Sequence, residues 1–276
     1  MRHAEHVMGT VVSFDLRPGE LDARALGTAL ELACAALHAG DEQLSTWKPG
    51  SPLSRVRRGE LALDEAPAAV AEVLRRCAEA RELSGGWFDP WKLAGGVDPT
   101  GLAKGWIAER ALEQLRLAGV GAAMVNAGGD VVAFGEPEPG RRWRIGVVDP
   151  RGPGALLGVV ELDGAVATSG TNERGDHVLD PRSGLPAREL LSATVTGPDL
   201  ALADALSTGL LAAGEPGLAP IESLPAYEGL GMRHDGTTFA TAGFTLEPLR
   251  NEAARRPPER RRSRLRRPRS VQREPR

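Results

Sequence analysis

Apolar positions along the chain recur with two periods, and the changes of period mark its elements. Over residues 21–39, Leu26, Leu30, Ala33 and Leu37 share one face at helical spacing, and Gly40 is placed to end that helix. Residues 51–56 read as a capped turn of helix, and residues 66–83 as a second long helix stopped by Ser84-Gly85-Gly86. A third helix runs over 103–117, with Ile107, Ala111, Leu112 and Leu115 as its buried stripe and Gly119 as its stop. A fourth covers 200–213. Between them lie short alternating or apolar runs that read as strands. These cover 6–16 (around Val11, Val12, Phe14 and Leu16), 121–125, 131–134, 143–148, 156–162, 165–167 and 193–196. Pro/Gly-rich turns link them, and residues 171–176 form a polar hairpin turn.

Composition narrows the picture. At 276 residues the chain is long enough to bury a stable interior. Its two cysteines, Cys34 and Cys77, fall on apolar helix faces without metal-ligand spacing or a disulfide framework, which fits a reduced compartment. No apolar run approaches the ~20 residues of a membrane span. The first residues, M-R-H-A-E-H, carry no charged-then-apolar leader, so a cytoplasmic location is expected.

The net charge of −3 hides an asymmetry. Residues 250–276 hold 12 Arg and 3 Glu, a surplus of +9, which leaves −12 for the rest. The tail is Pro-rich and nearly free of apolar residues, so disorder is expected there. No aromatic interleaves its arginines to stack on bases, and the acidic body carries no nucleic-acid signal, so no specific nucleic-acid partner is expected.

Chemistry concentrates in two places. Residues 98–130 put Lys104 at the start of a helix and Asn126-Ala127-Gly128-Gly129-Asp130 at the end of the next strand. Helix N–H groups and the dipole favour a phosphate beside Lys104, and a Gly-Gly turn lets a ligand approach the backbone. A capped helix followed by a glycine hairpin accounts for the same residues. In the helix over 200–213, Asp204 and Thr208 lie four apart and share a face. They are hard oxygen donors suited to Mg²⁺; a threonine bonded back to its own turn is the alternative.

Taken in order, eight stretches resemble the ApbE-type FAD:protein FMN transferases: M-G-T (8–10), S-T-W-K-P-G-S-P-L-S-R-V (45–56), S-G-G-W-F-D-P (84–90), G-L-A-K-G-W (101–106), N-A-G-G-D (126–130), T-S-G (168–170), H-V-L-D-P-R-S-G (177–184) and A-D-A-L-S-T (203–208). The resemblance implies an α+β fold, antiparallel sheets with flanking helices, in one T-fold-like catalytic domain over 1–249, followed by the tail. It implies FAD as substrate, Mg²⁺ at the pyrophosphate, and transfer of FMN to a Thr or Ser hydroxyl of an acceptor flavoprotein with release of AMP. It also implies the site. Asp204 and Thr208 match the side-chain metal ligands, with backbone carbonyls of Ala103 and Ser207 as companions, and Lys104 matches the phosphate-side lysine. Asn126, Gly128, Gly129 and Asp130 match an adenosine-side loop, and Ser169 and Gly170 another FAD-contacting turn. Met8 and Trp47 match positions near the flavin ring; Thr10 and Asp89 are further FAD-contacting candidates within the matched motifs. His177 and Asp180 match an H-x-x-D-P motif whose histidine is a candidate general base.

Some features depart from the family pattern. The segment from Asp89 to Gly101 is short, lipoprotein signals are absent, and the arginine tail belongs to no motif. An FAD pyrophosphate hydrolase and a non-enzymatic FAD-binding or storage protein stay open as alternatives, as does a monomer or a homodimer.

Overall fold

The structure, a computed structural model, describes residues 1–92, 95–162, 164–171 and 178–249. Along the chain its elements are β1 (Arg2–Val7), β2 (Thr10–Arg17), α1 (Ala23–Leu44), α2 (Pro52–Arg57), α3 (Ala68–Leu83), α4 (Thr100–Leu117), β3 (Ala122–Ala127) and β4 (Asp130–Phe134). There follow β5 (Trp143–Val148), β6 (Leu156–Leu162), β7 (Gly164–Gly170), β8 (Leu190–Gly197), α5 (Leu200–Ala213), α6 (Leu218–Glu222), β9 (Glu228–Arg233) and β10 (Thr238–Ala240). Eight strands form one antiparallel sheet in the order β1-β2-β3-β4-β7-β8-β9-β10, and β5 and β6 form a separate hairpin. The expected α+β architecture of antiparallel sheet and flanking helices is what the chain adopts.

Strand alternation divides the sheet's two faces. Ala123, Val125, Val132, Ala165 and Ala167 belong to the main core, with α1, α4 and α5. Ala122, Val131, Ala133 and Val166 instead meet Trp143, Val147, Val160 and Leu162 of the β5–β6 hairpin. The helix α5 is buried on almost every side, because it lies between the sheet and α4. Asp199 caps its start by accepting from Leu202 N (2.7 Å), and the chain turns off at Gly214.

Three local expectations change. The helix over 21–39 does not stop at Gly40; α1 continues to Leu44. A Cβ at Gly40 would lie 2.7 Å from Ile107 Cγ1, so this glycine serves the contact between α1 and α4. Next, α4 begins at Thr100, so Lys104 is its fifth residue, one turn inside the helix and not at its open amide end. Finally, β1, α6, β9 and β10 had no apolar period of their own. The strand β1 is mostly polar (Arg2, His3, Glu5 and His6), β9 carries Gly229 and Gly231, and β10 has only three residues. The arginine tail (250–276) and the greater part of the expected hairpin turn lie outside the described residues.

Candidate active site

The site is built where α4 and α5 run antiparallel under the ends of β4 and β7. A Cβ at Gly101 would lie 3.0 Å from Thr208 Oγ1, and one at Gly105 would lie 2.8 Å from Leu200 O. These two glycines let the helices approach closely enough for Lys104 to reach Asp204 at 3.6 Å. On its other side Lys104 Nζ pairs with Asp130, the first residue of β4. The Asp130 side chain is 2% exposed and that of Asp204 6%. The charges of Lys104, Asp130 and Asp204 sum to −1, and burial strengthens every interaction among them.

Hydroxyls complete the cluster. Ser169 Oγ lies 2.8 Å from Ser207 Oγ and 3.1 Å from Thr208 Oγ1, so the end of β7 is stitched to α5. Ser207 Oγ also donates to Asp204 O (2.9 Å). Asp130 Oδ1 accepts from Thr168 N (2.9 Å), which ties β4 to β7 directly before Ser169-Gly170. The structure therefore brings together Lys104, Asp130, Ser169, Asp204, Ser207 and Thr208, six residues from four elements. Asp130 was assigned from sequence to an adenosine-side loop. Its buried carboxylate against Lys104 was missed, because no local pattern marks which face β4 turns towards α4.

Two hairpin tips sit side by side next to this cluster. Met8-Gly9 joins β1 to β2, and Gly128-Gly129 joins β3 to β4; all four residues have positive φ, as two-residue hairpin turns require. A Cβ at Gly128 would strike Thr10 Oγ1 at 2.7 Å, whereas one at Gly129 would meet nothing within 4 Å. Asn126 Oδ1 accepts from Gly129 N (2.8 Å) and holds the turn's shape. The backbone at Gly129 thus faces open space. A concavity of about 540 Å³ lies against the other tip, lined by His6 to Val11 and Asp41.

The remaining candidates are placed as follows. Trp47 is 88% exposed, so its ring is a free flat surface. Asp89 accepts from Arg81 Nε (2.7 Å) and Trp91 N (3.1 Å), the behaviour of a loop anchor. Asp180 accepts from Arg182 N (2.8 Å) and Ser183 Oγ (2.7 Å); these bonds hold its carboxyl below the usual range and shape its own turn. Arg182 from that turn stacks over Trp87, 3.5 Å from the ring centre, joining two of the matched motifs. Ala103 is buried and Gly170 ends β7. His177 lies outside the described residues.

The donor set suits Mg²⁺. Asp204 contributes a buried carboxylate and Thr208, Ser207 and Ser169 hydroxyl oxygens, all hard donors of the kind that ion takes, beside Lys104 as a fixed positive charge.

Comparison with known proteins gives the chain its relatives. The model of the ApbE family matches residues 8–94 and 91–230. The chain is 35% identical over 158 residues to the FAD:protein FMN transferase of Rhodobacter capsulatus, covering 52% of this chain and 29% of that protein. It is 39% identical over 137 residues to that of Klebsiella pneumoniae, covering 45% and 42%. The matches thus span less than half the length of these curated relatives. The apo form of Pseudomonas stutzeri flavinyl transferase ApbE superposes with a TM-score of 0.73 at 26% identity, covering 88% of this chain and 94% of that one. With the family model matched across most of its length and the fold shared, the chain belongs to the ApbE family.

Proposed function

We propose that this chain transfers FMN from FAD to a Thr or Ser hydroxyl of an acceptor flavoprotein and releases AMP. The observation that carries the reading is the buried meeting of Lys104, Asp130 and Asp204 with three hydroxyls, beside two open hairpin tips. In the reaction, a bond forms between the acceptor oxygen and the FMN phosphorus. The pyrophosphate bond to AMP breaks, AMP leaves with the electron pair, and the acceptor's proton passes to a base.

Each residue has a part. Asp204 and Thr208, with the carbonyls of Ala103 and Ser207, would hold Mg²⁺, which when bound supplies positive charge to the pyrophosphate oxygens. Lys104 is held by Asp130 and adds a second positive charge beside the pyrophosphate. Ser169 fixes the hydroxyl of Thr208, so both keep one orientation. Gly128 and Gly129, shaped by Asn126, would receive the adenosine side, while Met8, Thr10 and the exposed ring of Trp47 would receive the flavin side. Met8 holds a left-handed φ of 56°, a conformation that a residue with a side chain adopts at a cost. His177 is the residue assigned to take the proton at an imidazole nitrogen, since its ordinary pKa near ~6.5 leaves it free to accept at neutral pH. Asp180 positions the turn that follows His177, and Asp89 anchors the loop carrying Trp87.

The test mixes the full chain with FAD, Mg²⁺ and candidate acceptor flavoproteins. Transfer gives AMP together with a fluorescent flavin band on the denatured acceptor. Free FMN with AMP would mean hydrolysis, and FAD bound without AMP would mean storage; either result overturns the proposal.

A further inference from the structure

The edge strand β1 carries an anomaly. His3 and Glu5 pair with Phe14 and Val12 of β2, so they share the face that Val12 and Phe14 bury against the helices. Alternation puts apolar side chains at such positions, and Val7 obeys the rule. His3 and Glu5 instead turn an imidazole and a carboxylate towards α1. From α1, Cys34 and His38 meet them at a spacing of four, one face of one helix. His38 Nε2 lies 2.8 Å from Glu5 Oε1, and His3 Nε2 lies 3.1 Å from Glu5 Oε2. The ligand atoms of His3, Glu5 and Cys34 all fall within 4.8 Å of one another.

An inward charge on an edge strand discourages pairing with another edge, and that would account for Glu5 alone. It does not account for two imidazoles and a thiol converging on the same carboxylate. We propose that His3, Glu5, Cys34 and His38 form a binding site for a single Zn²⁺ ion that ties β1 to α1. Two nitrogens, a sulfur and a carboxylate oxygen are donors that zinc accepts together in tetrahedral geometry. Bonds of about 2.0–2.3 Å put tetrahedral ligand atoms roughly 3.3–3.7 Å apart, so the three closest groups need only small side-chain rotations to close on an ion. His38, with its side chain 51% exposed, swings in from the open rim as the fourth.

Hydrogen bonds to the two imidazoles hold the Glu5 carboxyl below its ordinary range. Burial, with Glu5 beside it, pushes the Cys34 thiol up to about 11, so without a metal it keeps its proton. Binding would release that proton as the sulfur becomes a thiolate ligand. Four protein ligands leave no open position for water, which makes this a structural centre and not a second catalytic one. Neither β1 nor α1 contributes to the Lys104 cluster, so the two sites can be tested separately.

The experiment titrates the untagged full chain with Co²⁺ in a buffer containing excess Mg²⁺ and a non-thiol reductant, then displaces cobalt with Zn²⁺. Expected are one equivalent of Co²⁺ with the visible bands of a tetrahedral ion, a thiolate-to-metal charge-transfer band, and loss of both on adding zinc. Cys34→Ser should remove the charge-transfer band, and His38→Ala should weaken binding by at least about tenfold. Zn²⁺ should raise the Tm of the wild type and of neither variant. His38 is half-exposed, so its replacement is expected to fold, and circular dichroism checks both variants. Absence of tetrahedral bands at saturating Co²⁺ overturns the proposal. So do bands unchanged in both variants, because the metal would then sit elsewhere.

Discussion

The antiparallel pair α4 and α5 carries two charge clusters, one buried and one half-buried, and the two resolve the same problem differently. At the α5 start, Arg76 from α3 pairs with Asp199 and lies 3.6 Å from Glu109 of α4. Glu109 accepts from Leu200 N, and Asp199 caps the helix through Leu202 N. These three charges also sum to −1, yet the surplus is absorbed locally. The amides of a helix start offset it, and burial, with Asp199 adding repulsion, pushes the Glu109 carboxyl up to about 7. At the other end, beside the first turn of α4, Lys104, Asp130 and Asp204 stand among the hydroxyls of Ser169, Ser207 and Thr208. A concavity of about 300 Å³ lies at the first cluster, lined by Arg76, Glu109 and Asp199, although the groups suited to phosphate chemistry lie at the second. Neither the charge sum nor a nearby concavity therefore tells the two clusters apart; the donor types around them do.

That contrast can be broken most directly at Asp204. Asp204→Ala leaves Lys104 and Asp130 as a neutral pair, so the fold should survive while FMN transfer at limiting Mg²⁺ falls by at least about 10²-fold. Steady-state AMP release together with a thermal melt checks both halves. Full activity in a folded variant would remove the functional half of the contrast.

Gly105→Ala addresses what the two clusters share. Its Cβ would lie 2.8 Å from Leu200 O and 2.9 Å from the Ala201 Cα, backbone atoms that cannot rotate away. Alanine's helix propensity favours the variant by about 1 kcal/mol, but forcing two packed helices apart should win, with a net loss of about 1–3 kcal/mol in urea unfolding. Transfer activity should fall as well, since Lys104 and Asp204 ride on the separated helices. A gain in stability would mean that the helices do not need this contact.

Glu109 gives the smallest and most specific effect. Its carboxyl titrates at 4.5 when unfolded and at about 7 when folded. Between these values the folded state holds a proton that the unfolded state has released, so stability falls as pH rises from 4.5 to 7. With the side chain 22% exposed, a discounted 1–2 kcal/mol is expected, on the order set by the shift. Glu109→Gln keeps an oxygen to accept from Leu200 N and should remove that slope. It should match or exceed the wild type above neutral pH while leaving FMN transfer unchanged. Urea unfolding at about pH 5 and about pH 7 measures the difference; equal slopes in both proteins would deny Glu109 its raised titration.

Much of the molecule was legible in the chain itself, because a helix or strand is set by periods of a few residues. Residues 200–213, 143–148 and 156–162 were read from such periods, and α5, β5 and β6 have those bounds. The matched motifs also brought Lys104, Ser169, Ser207, Asp204 and Thr208 forward before any contact was known. What local pattern could not carry was partnership between distant residues. Gly40 looked like a helix stop, yet it is a contact with Ile107, 67 positions later. Asp130 looked like part of a ligand loop, yet its carboxylate is turned inward on Lys104. Cys34 and the N-terminal histidines had no ligand spacing, since His3-x-Glu5 and Cys34-x-x-x-His38 become one cluster only when β1 is laid against α1. The physical reason is range. Backbone geometry determines which neighbours along the chain share a face, whereas sheet register and helix packing decide which faces meet.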